Sequence, residues 1–314
     1  MKKILVTGAG GFVGTHLIKA LQEKGETEIY AAVYKSTSDI SELVAADHVM
    51  AGDLTDFAFA QKLIQTVQPE VIYHLAALSV VGSAEQASTI MTANTTLQYN
   101  LLEAIRLHAP KARVIAVCSA NQYGLVKESD LPINESVPFR PLNAYAISKI
   151  NQEMLALEYH LAYGIDVVIL RPFNHTGEGQ TDEFVVPALA KQFIQIERGE
   201  SQEIVVGNVE TTRDFTDVLD MVQAYILAAE KGVSGEAYNI GSGQGYTVRQ
   251  ILDLFQKIIG KSVSIKEDKA KVRESDVPVL IADASKFKSL SGWTPKIPLE
   301  TTLQRILEYW RKQT

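Results

Sequence analysis

The sequence predicts an α/β protein built on a doubly wound parallel sheet, with a smaller mixed α/β lobe packed beside it. Three observations carry that expectation. Short apolar runs alternate with longer helical patterns through the first half of the chain. The run from Val167 to Leu170 is apolar without alternation, as a strand covered on both faces requires. A glycine-rich turn joins the first apolar run to the first helical pattern.

Residues 4–7 read as a strand, 12–24 as a helix and 28–33 as a second strand. A strand around 48–51, a helix over 57–67 and a strand over 71–75 follow. A long helical stretch, 85–107, leads to a strand over 113–118; a helix over 145–163 precedes a strand over 166–170. After Arg171-Pro172 the rhythm loosens, and Pro187, Gly199 and Gly207 interrupt shorter elements. Residues 261–278 are charged and irregular, and a helix over 299–312 closes the pattern. The expected division is a dinucleotide-binding part, residues 1–172 with 208–238 returning to it, and a substrate-binding lobe of 173–207 and 239–314.

Composition narrows the function. The 314 residues are 46% hydrophobic and 21% charged, enough apolar material for a sizeable core. The formal net charge is -7, which gives no electrostatic attraction to nucleic acid or to an anionic membrane. A phosphate-bearing ligand must then be held by local donors. Glycines break the apolar start of the chain at once, and no stretch approaches the roughly 18 apolar residues of a membrane span. The single cysteine, Cys118, follows an apolar strand and reads as an inert core thiol in a reducing compartment, the cytoplasm. Six scattered histidines and no second cysteine predict no metal site.

The first turn reads Thr7-Gly8-Ala9-Gly10-Gly11-Phe12-Val13-Gly14. Gly8 suits a tight turn, Gly11 lets a pyrophosphate reach backbone N–H groups, and Gly14 lets the helix pack closely on the sheet. Between a strand and a helix this is a dinucleotide-binding signal, with Phe12 and Val13 opening the helix. Asp53 and Leu54, after the third strand, and Leu75-Ala76-Ala77, after the fourth, are candidates for the same ligand. The second strand ends in Tyr34-Lys35-Ser36, without the acid that NAD enzymes place there. Lys35 with Ser36 can hold a 2′-phosphate, which favours NADPH, with NADH possible; a solvated loop lysine is the alternative reading.

Tyr145 and Lys149 stand four apart, on one face of a helix. A nearby ammonium favours tyrosinate and lowers the phenol from about 10 towards working pH, making it a usable acid or base. Ser119, after the fifth strand, lies on the same sheet edge and can donate to the oxygen that Tyr145 protonates. A helix or turn cap is the other role open to it.

At these residues the chain resembles the extended short-chain dehydrogenase/reductase family over nearly its whole length. The marks are residues 7–14, Asp53, His74-Leu75-Ala76-Ala77, Ser119 with Tyr123-Gly124, Tyr145-x-x-x-Lys149 and Arg171-Pro172-Phe173-Asn174. The resemblance implies a Rossmann-type fold, a catalytic set of Ser119, Tyr145 and Lys149, a second lobe that binds a nucleotide diphosphate sugar, and a homodimer formed through a four-helix contact. Residues 171–180 and 212–218 look most like the GDP-mannose branch. By that likeness Asn174 meets the sugar-diphosphate region, and Lys191, Arg213 and Arg273 lie near the nucleotide or its phosphates. Branch dehydratases carry a glutamate where this chain has Asn121, and an amide cannot shuttle the proton that elimination needs. The resemblance therefore implies reduction of the C4 keto group of a GDP-linked 4-keto-6-deoxy-hexose, giving GDP-rhamnose. A 4-epimerase, a GDP-mannose 4,6-dehydratase and an NADP-sensing Rossmann protein stay open.

Overall fold

The structure, a computed structural model, describes residues 2–25, 27–34, 40–78, 86–268, 270 and 277–313. Its first half runs β1 (Lys2–Thr7), α1 (Phe12–Lys24), β2 (Thr27–Val33), β3 (Val49–Ala51), α2 (Phe57–Val67), β4 (Val71–His74), α3 (Ala87–His108), β5 (Arg113–Val117), α4 (Ala144–Tyr163) and β6 (Asp166–Pro172). The second half runs β7 (Asn174–Thr176), α5 (Val185–Glu197), β8 (Glu203–Val206), β9 (Thr212–Asp217), α6 (Val218–Lys231), β10 (Ala237–Ile240), β11 (Gly245–Thr247), α7 (Val248–Ile259), β12 (Ser264–Glu267), β13 (Val279–Leu280), α8 (Ser285–Ser291) and α9 (Leu299–Lys312).

Seven strands form one sheet in the order β10-β6-β5-β4-β1-β2-β3, every neighbouring pair parallel. This is a Rossmann-type doubly wound sheet whose order reverses between β1 and β4, and that reversal opens a crevice at the strands' carboxyl ends. The continuous apolar runs are explained by what covers each face. Ile4, Val6, Tyr73, Ile115, Val168 and Leu170 face a layer that includes α1 and α6. Leu5, Ile72, Val114, Val167 and Ile169 face a layer built from α2, α3 and α4. Each such side chain, fully buried, contributes about 1.5–3 kcal/mol. Arg113 and Asp166 pair across the start of β5 and β6 at 2.8 Å, fixing the register of the two strands.

The segment 208–238 divides between the two parts. β9 joins a smaller sheet with β7, β11 and β13, whereas α6 packs on α1 and β10 extends the large sheet to Ile240. Helices α5, α7 and α9 close a separate core around Phe193, Phe255 and Leu303. Residues 261–278, expected to be irregular, contain β12, which pairs in parallel with β8. No helix of the described residues is long and apolar enough to cross a membrane.

Candidate active site

The crevice is assembled first by β1. The strand ends at Thr7 and the chain turns through Gly8, whose φ of +66° is left-handed. A Cβ at Gly8 would stand 2.9 Å from the Ala76 backbone nitrogen, and one at Gly14 would stand 2.5 Å from the Gly8 carbonyl. Only glycine lets the β4 exit and the helix approach this closely. Helix α1 begins after Gly11 without any side-chain cap, so its first N–H groups are free to meet an anion. The Thr7 hydroxyl lies 2.7 Å from His74 Nδ1 and accepts from the Ala76 N–H at 3.2 Å, which binds the two strand exits together. Burial pushes His74 down to about 3, so this link is neutral.

The second wall comes from β5 and α4. Beyond β5 the chain enters a short helical turn, 120–123, capped by Ser119. Its hydroxyl accepts from the Asn121 N–H at 3.2 Å, while its own N–H donates to Gln122 Oε1 at 3.0 Å. Helix α4 is capped by Asn143, whose side chain accepts from the Ala146 N–H at 2.8 Å. That cap places Tyr145 and Lys149 on the helix's first turns, facing the sheet edge. Asn94 of α3 ties this turn to the segment after β4: it bonds both backbone groups of Leu78 and donates to Ser148 Oγ at 3.0 Å.

The electrostatics differ from the sequence expectation. Burial pushes the Tyr145 phenol up to about 12, and a hydrogen bond with Ser119 offsets only part of that rise. Lys149 is 4% exposed, and burial brings its ammonium down to about 8. Its Nζ donates to the Val117 carbonyl at 3.0 Å and stands 5.9 Å from the Tyr145 ring centroid. The helical spacing sets the shared face, but the ammonium aims at the strand end and not at the phenol oxygen. The phenol is therefore neutral at working pH.

A buried polar scaffold lies directly behind Ser119. Gln122 Nε2 donates to Glu153 Oε2 at 2.8 Å, and Glu153 holds Arg171 through Nε at 3.0 Å and Nη2 at 2.5 Å. Arg171 donates to the Tyr123 hydroxyl at 2.8 Å, which in turn donates to Asn239 Oδ1 at 2.7 Å. Glu153 and Arg171 expose only 3% and 8% of their side chains, so the pair belongs to the interior. Cys118 is buried beside them and burial raises its thiol, in keeping with an inert core residue.

One cavity of about 580 Å³ gathers most of the predicted residues: Gly8, Gly11, Phe12, Val13, Gly14, Leu75, Ala76, Ala77, Ser119, Asn121, Tyr145, Lys149 and Asn174. Others lie elsewhere. Asp53 spends Oδ1 on the Thr55 N–H at 2.8 Å, Leu54 is buried in the core on the α2–α4 side, and neither lines the cavity. Lys191, on α5, is half exposed, pairs with Asp182 at 2.6 Å and sits 5.6 Å from the Trp310 ring centroid, off the cavity wall. Arg213 donates to the Thr212 carbonyl at 2.9 Å and also lies off the wall. Lys35 and Arg273 fall outside the described residues. The lining adds Asn143, His175, Phe184, Phe215 and Tyr225, which sequence reasoning did not single out. Asn143 had a signal, an Asn just before a helical pattern; Tyr225 sits inside the apolar pattern of α6 and had none. No metal-binding group of side chains occurs among the described residues.

Fold and site together define a Rossmann-type protein of the extended short-chain dehydrogenase/reductase class. The chain belongs to the family described as GDP-mannose 4,6 dehydratase, whose pattern it matches over residues 5–306. It is 30% identical to the GDP-6-deoxy-D-mannose reductase of Pseudomonas aeruginosa, covering 99% of this chain and 98% of that one. It is 34% identical to the GDP-6-deoxy-D-talose 4-dehydrogenase of Aggregatibacter actinomycetemcomitans, covering 98% and 96%. The solved structure of RMD from Pseudomonas aeruginosa complexed with NADPH superposes with a TM-score of 0.88 at 28% identity, covering 100% of both chains. The relatives are enzymes that modify nucleotide-linked sugars, and this chain is an enzyme of that kind.

Proposed function

We propose that the chain is an NAD(P)H-dependent reductase of a GDP-linked 4-keto-6-deoxy-hexose, acting on the C4 carbonyl to give GDP-rhamnose. The observation that carries this reading is the meeting of the glycine turn with Ser119, Tyr145 and Lys149 in one cavity. The crowding around Gly8 and Gly14 and the uncapped start of α1 fit a dinucleotide pyrophosphate. When bound, the reduced nicotinamide supplies the hydride. NADPH is favoured by Lys35 and Ser36 in the sequence and by the ligand in the Pseudomonas structure.

The chain's own residues handle the proton. Tyr145, kept neutral by burial, gives its proton to the C4 oxygen as negative charge develops there. Ser119 spends a lone pair on the Asn121 N–H, which leaves its hydroxyl hydrogen to point at that same oxygen. The Lys149 ammonium, held on the Val117 carbonyl with Nζ 5.9 Å from the Tyr145 ring centroid, acts on the remaining phenolate only through its longer-range field. Asn121, exposed on the cavity rim, can hydrogen-bond the sugar but offers no carboxylate for water elimination. Asn174, on β7, is the proposed contact to the sugar diphosphate.

A homodimer is part of the proposal. Tyr99 on α3 and Met154, Leu161 and Tyr163 on α4 are exposed at 47%, 44%, 73% and 51%, although these two helices pack side by side. Two copies meeting there would cover apolar surface that one copy leaves wet.

The test is a panel of GDP-, UDP-, dTDP- and CDP-linked keto sugars with NADPH, followed by cofactor absorbance. Stoichiometric cofactor oxidation with the GDP-linked 4-keto-6-deoxy sugar is expected. Isomerised product without net oxidation, or loss of water, would replace the proposal with epimerase or dehydratase.

A further inference from the structure

Tyr225 has no place in the proton-transfer scheme, yet it borders the same cavity. It lies on α6, is 0% exposed, and packs in the layer that holds Phe12, Val13 and Val117. Its hydroxyl has no hydrogen-bond partner among the described residues. Two other buried phenols are satisfied: Tyr123 bonds Asn239 at 2.7 Å and Tyr159 bonds Glu103 at 2.9 Å. A buried donor left unpaired is costly, and one that borders a cavity can be completed by the ligand.

The position narrows the ligand. Tyr145, Ser119 and Asn143 reach the cavity from α4 and the turn after β5. Tyr225 reaches it from the opposite face of the sheet, through α6, which packs on β5 and β6. The sugar carbonyl belongs on the Ser119 side, where the proton donor is. On the other side the polar part of a nicotinamide ring is its carboxamide, whose carbonyl oxygen accepts hydrogen bonds. Burial raises the Tyr225 phenol, so it is a neutral donor suited to that oxygen.

We infer that the Tyr225 hydroxyl donates to the nicotinamide carboxamide of the cofactor and so orients the ring in the cavity. This rests on the cofactor reading above. The group is a positioning contact and takes no proton in the reaction.

The test is Tyr225→Phe, titrated by fluorescence with NADPH, NADH and adenosine 2′,5′-bisphosphate, a fragment without nicotinamide. Loss of one such hydrogen bond should weaken NADPH about tenfold and leave the fragment unchanged. The ligand-free variant should melt at or above the wild-type temperature, because the hydroxyl has no protein partner to lose. Equal NADPH affinity in the two proteins would overturn the inference alone, as would equal weakening of the fragment or a raised sugar KM with NADPH binding intact. A variant melting several degrees lower would place the hydroxyl's partner inside the protein and also overturn it. Wild-type protein that bound neither NADPH nor NADH would remove the cofactor reading, and this contact with it.

Discussion

The sheet edge at the cavity and the smaller lobe beside it are built on different principles. On the sheet side, Ser119 and Tyr145 stand on a buried scaffold in which Glu153 and Arg171 are 3% and 8% exposed. On the smaller lobe, the expected phosphate cation Lys191 is half exposed and neutralised by Asp182 at 2.6 Å. One side is organised before any ligand arrives; the other presents surface pairs that a ligand would have to break. Preorganised groups lower a barrier because their alignment is already in place. Exposed pairs contribute little to stability and are easily exchanged. The contrast supports the proposed placement of the chemistry at the sheet edge.

Four substitutions test the contrast. The largest effect is expected at Tyr145. Tyr145→Phe should lower kcat by roughly 10²–10⁴, the usual worth of a positioned general acid, while the NADPH Kd from titration stays within about twofold. A variant keeping most of its rate would shift the proton donor elsewhere. Next is the scaffold: Glu153→Ala leaves Arg171 buried without its partner and should destabilise by roughly 3–5 kcal/mol in urea unfolding. A loss near zero would mean that water reaches the pair and that the sheet side is no more rigid than the other.

A smaller effect concerns pH. Lys149 is held down to about 8 against its ordinary 10.5, so below pH 8 the folded protein carries the cost of a buried ammonium. Above pH 8 the folded state sheds that proton before the unfolded state does, and stability gains roughly 2 kcal/mol by pH 10. The raised Tyr145 phenol acts in the opposite sense only above its ordinary 10.0. Lys149→Met should therefore lose the rise between pH 8 and 10, measured as the difference in Tm from wild type. A rise of equal size in both proteins would assign it to another group. The smallest effect is expected for Lys191→Ala, under about 1 kcal/mol in stability and under about twofold in sugar KM. A tenfold KM increase would show that Lys191 leaves Asp182 for the substrate and that the lobe is less passive than its surface pairs suggest.

The same division governs how much was legible in the sequence. Helices 12–24, 57–67 and 299–312 are legible with the boundaries the structure shows, because the apolar period is a local signal. Gly8, Ser119, Tyr145 and Lys149 meet because a parallel sheet brings every strand exit to one edge, so short motifs far apart in the chain converge. What was missed depends on contacts that spacing does not encode. Burial raises the Tyr145 phenol, the reverse of the expected shift, and the Lys149 ammonium turns to the Val117 carbonyl. Asp53 gives one carboxylate oxygen to the Thr55 N–H of its own loop and lies off the cavity lining. Strand β12, Ser-Ile-Lys-Glu, has one apolar residue and exists through its partner β8, some sixty residues earlier.

The central claim is that hydride passes to C4 of a GDP-linked keto sugar while Tyr145 supplies the proton. It is tested most directly by incubating the wild-type protein with NADPH deuterated at C4 of the nicotinamide and the GDP-linked 4-keto-6-deoxy sugar, then reading the product by NMR. One deuterium at sugar C4 for each cofactor oxidised, from a single face of the ring, is the predicted result. Product without deuterium at C4, or turnover with the cofactor returned unoxidised, would contradict it.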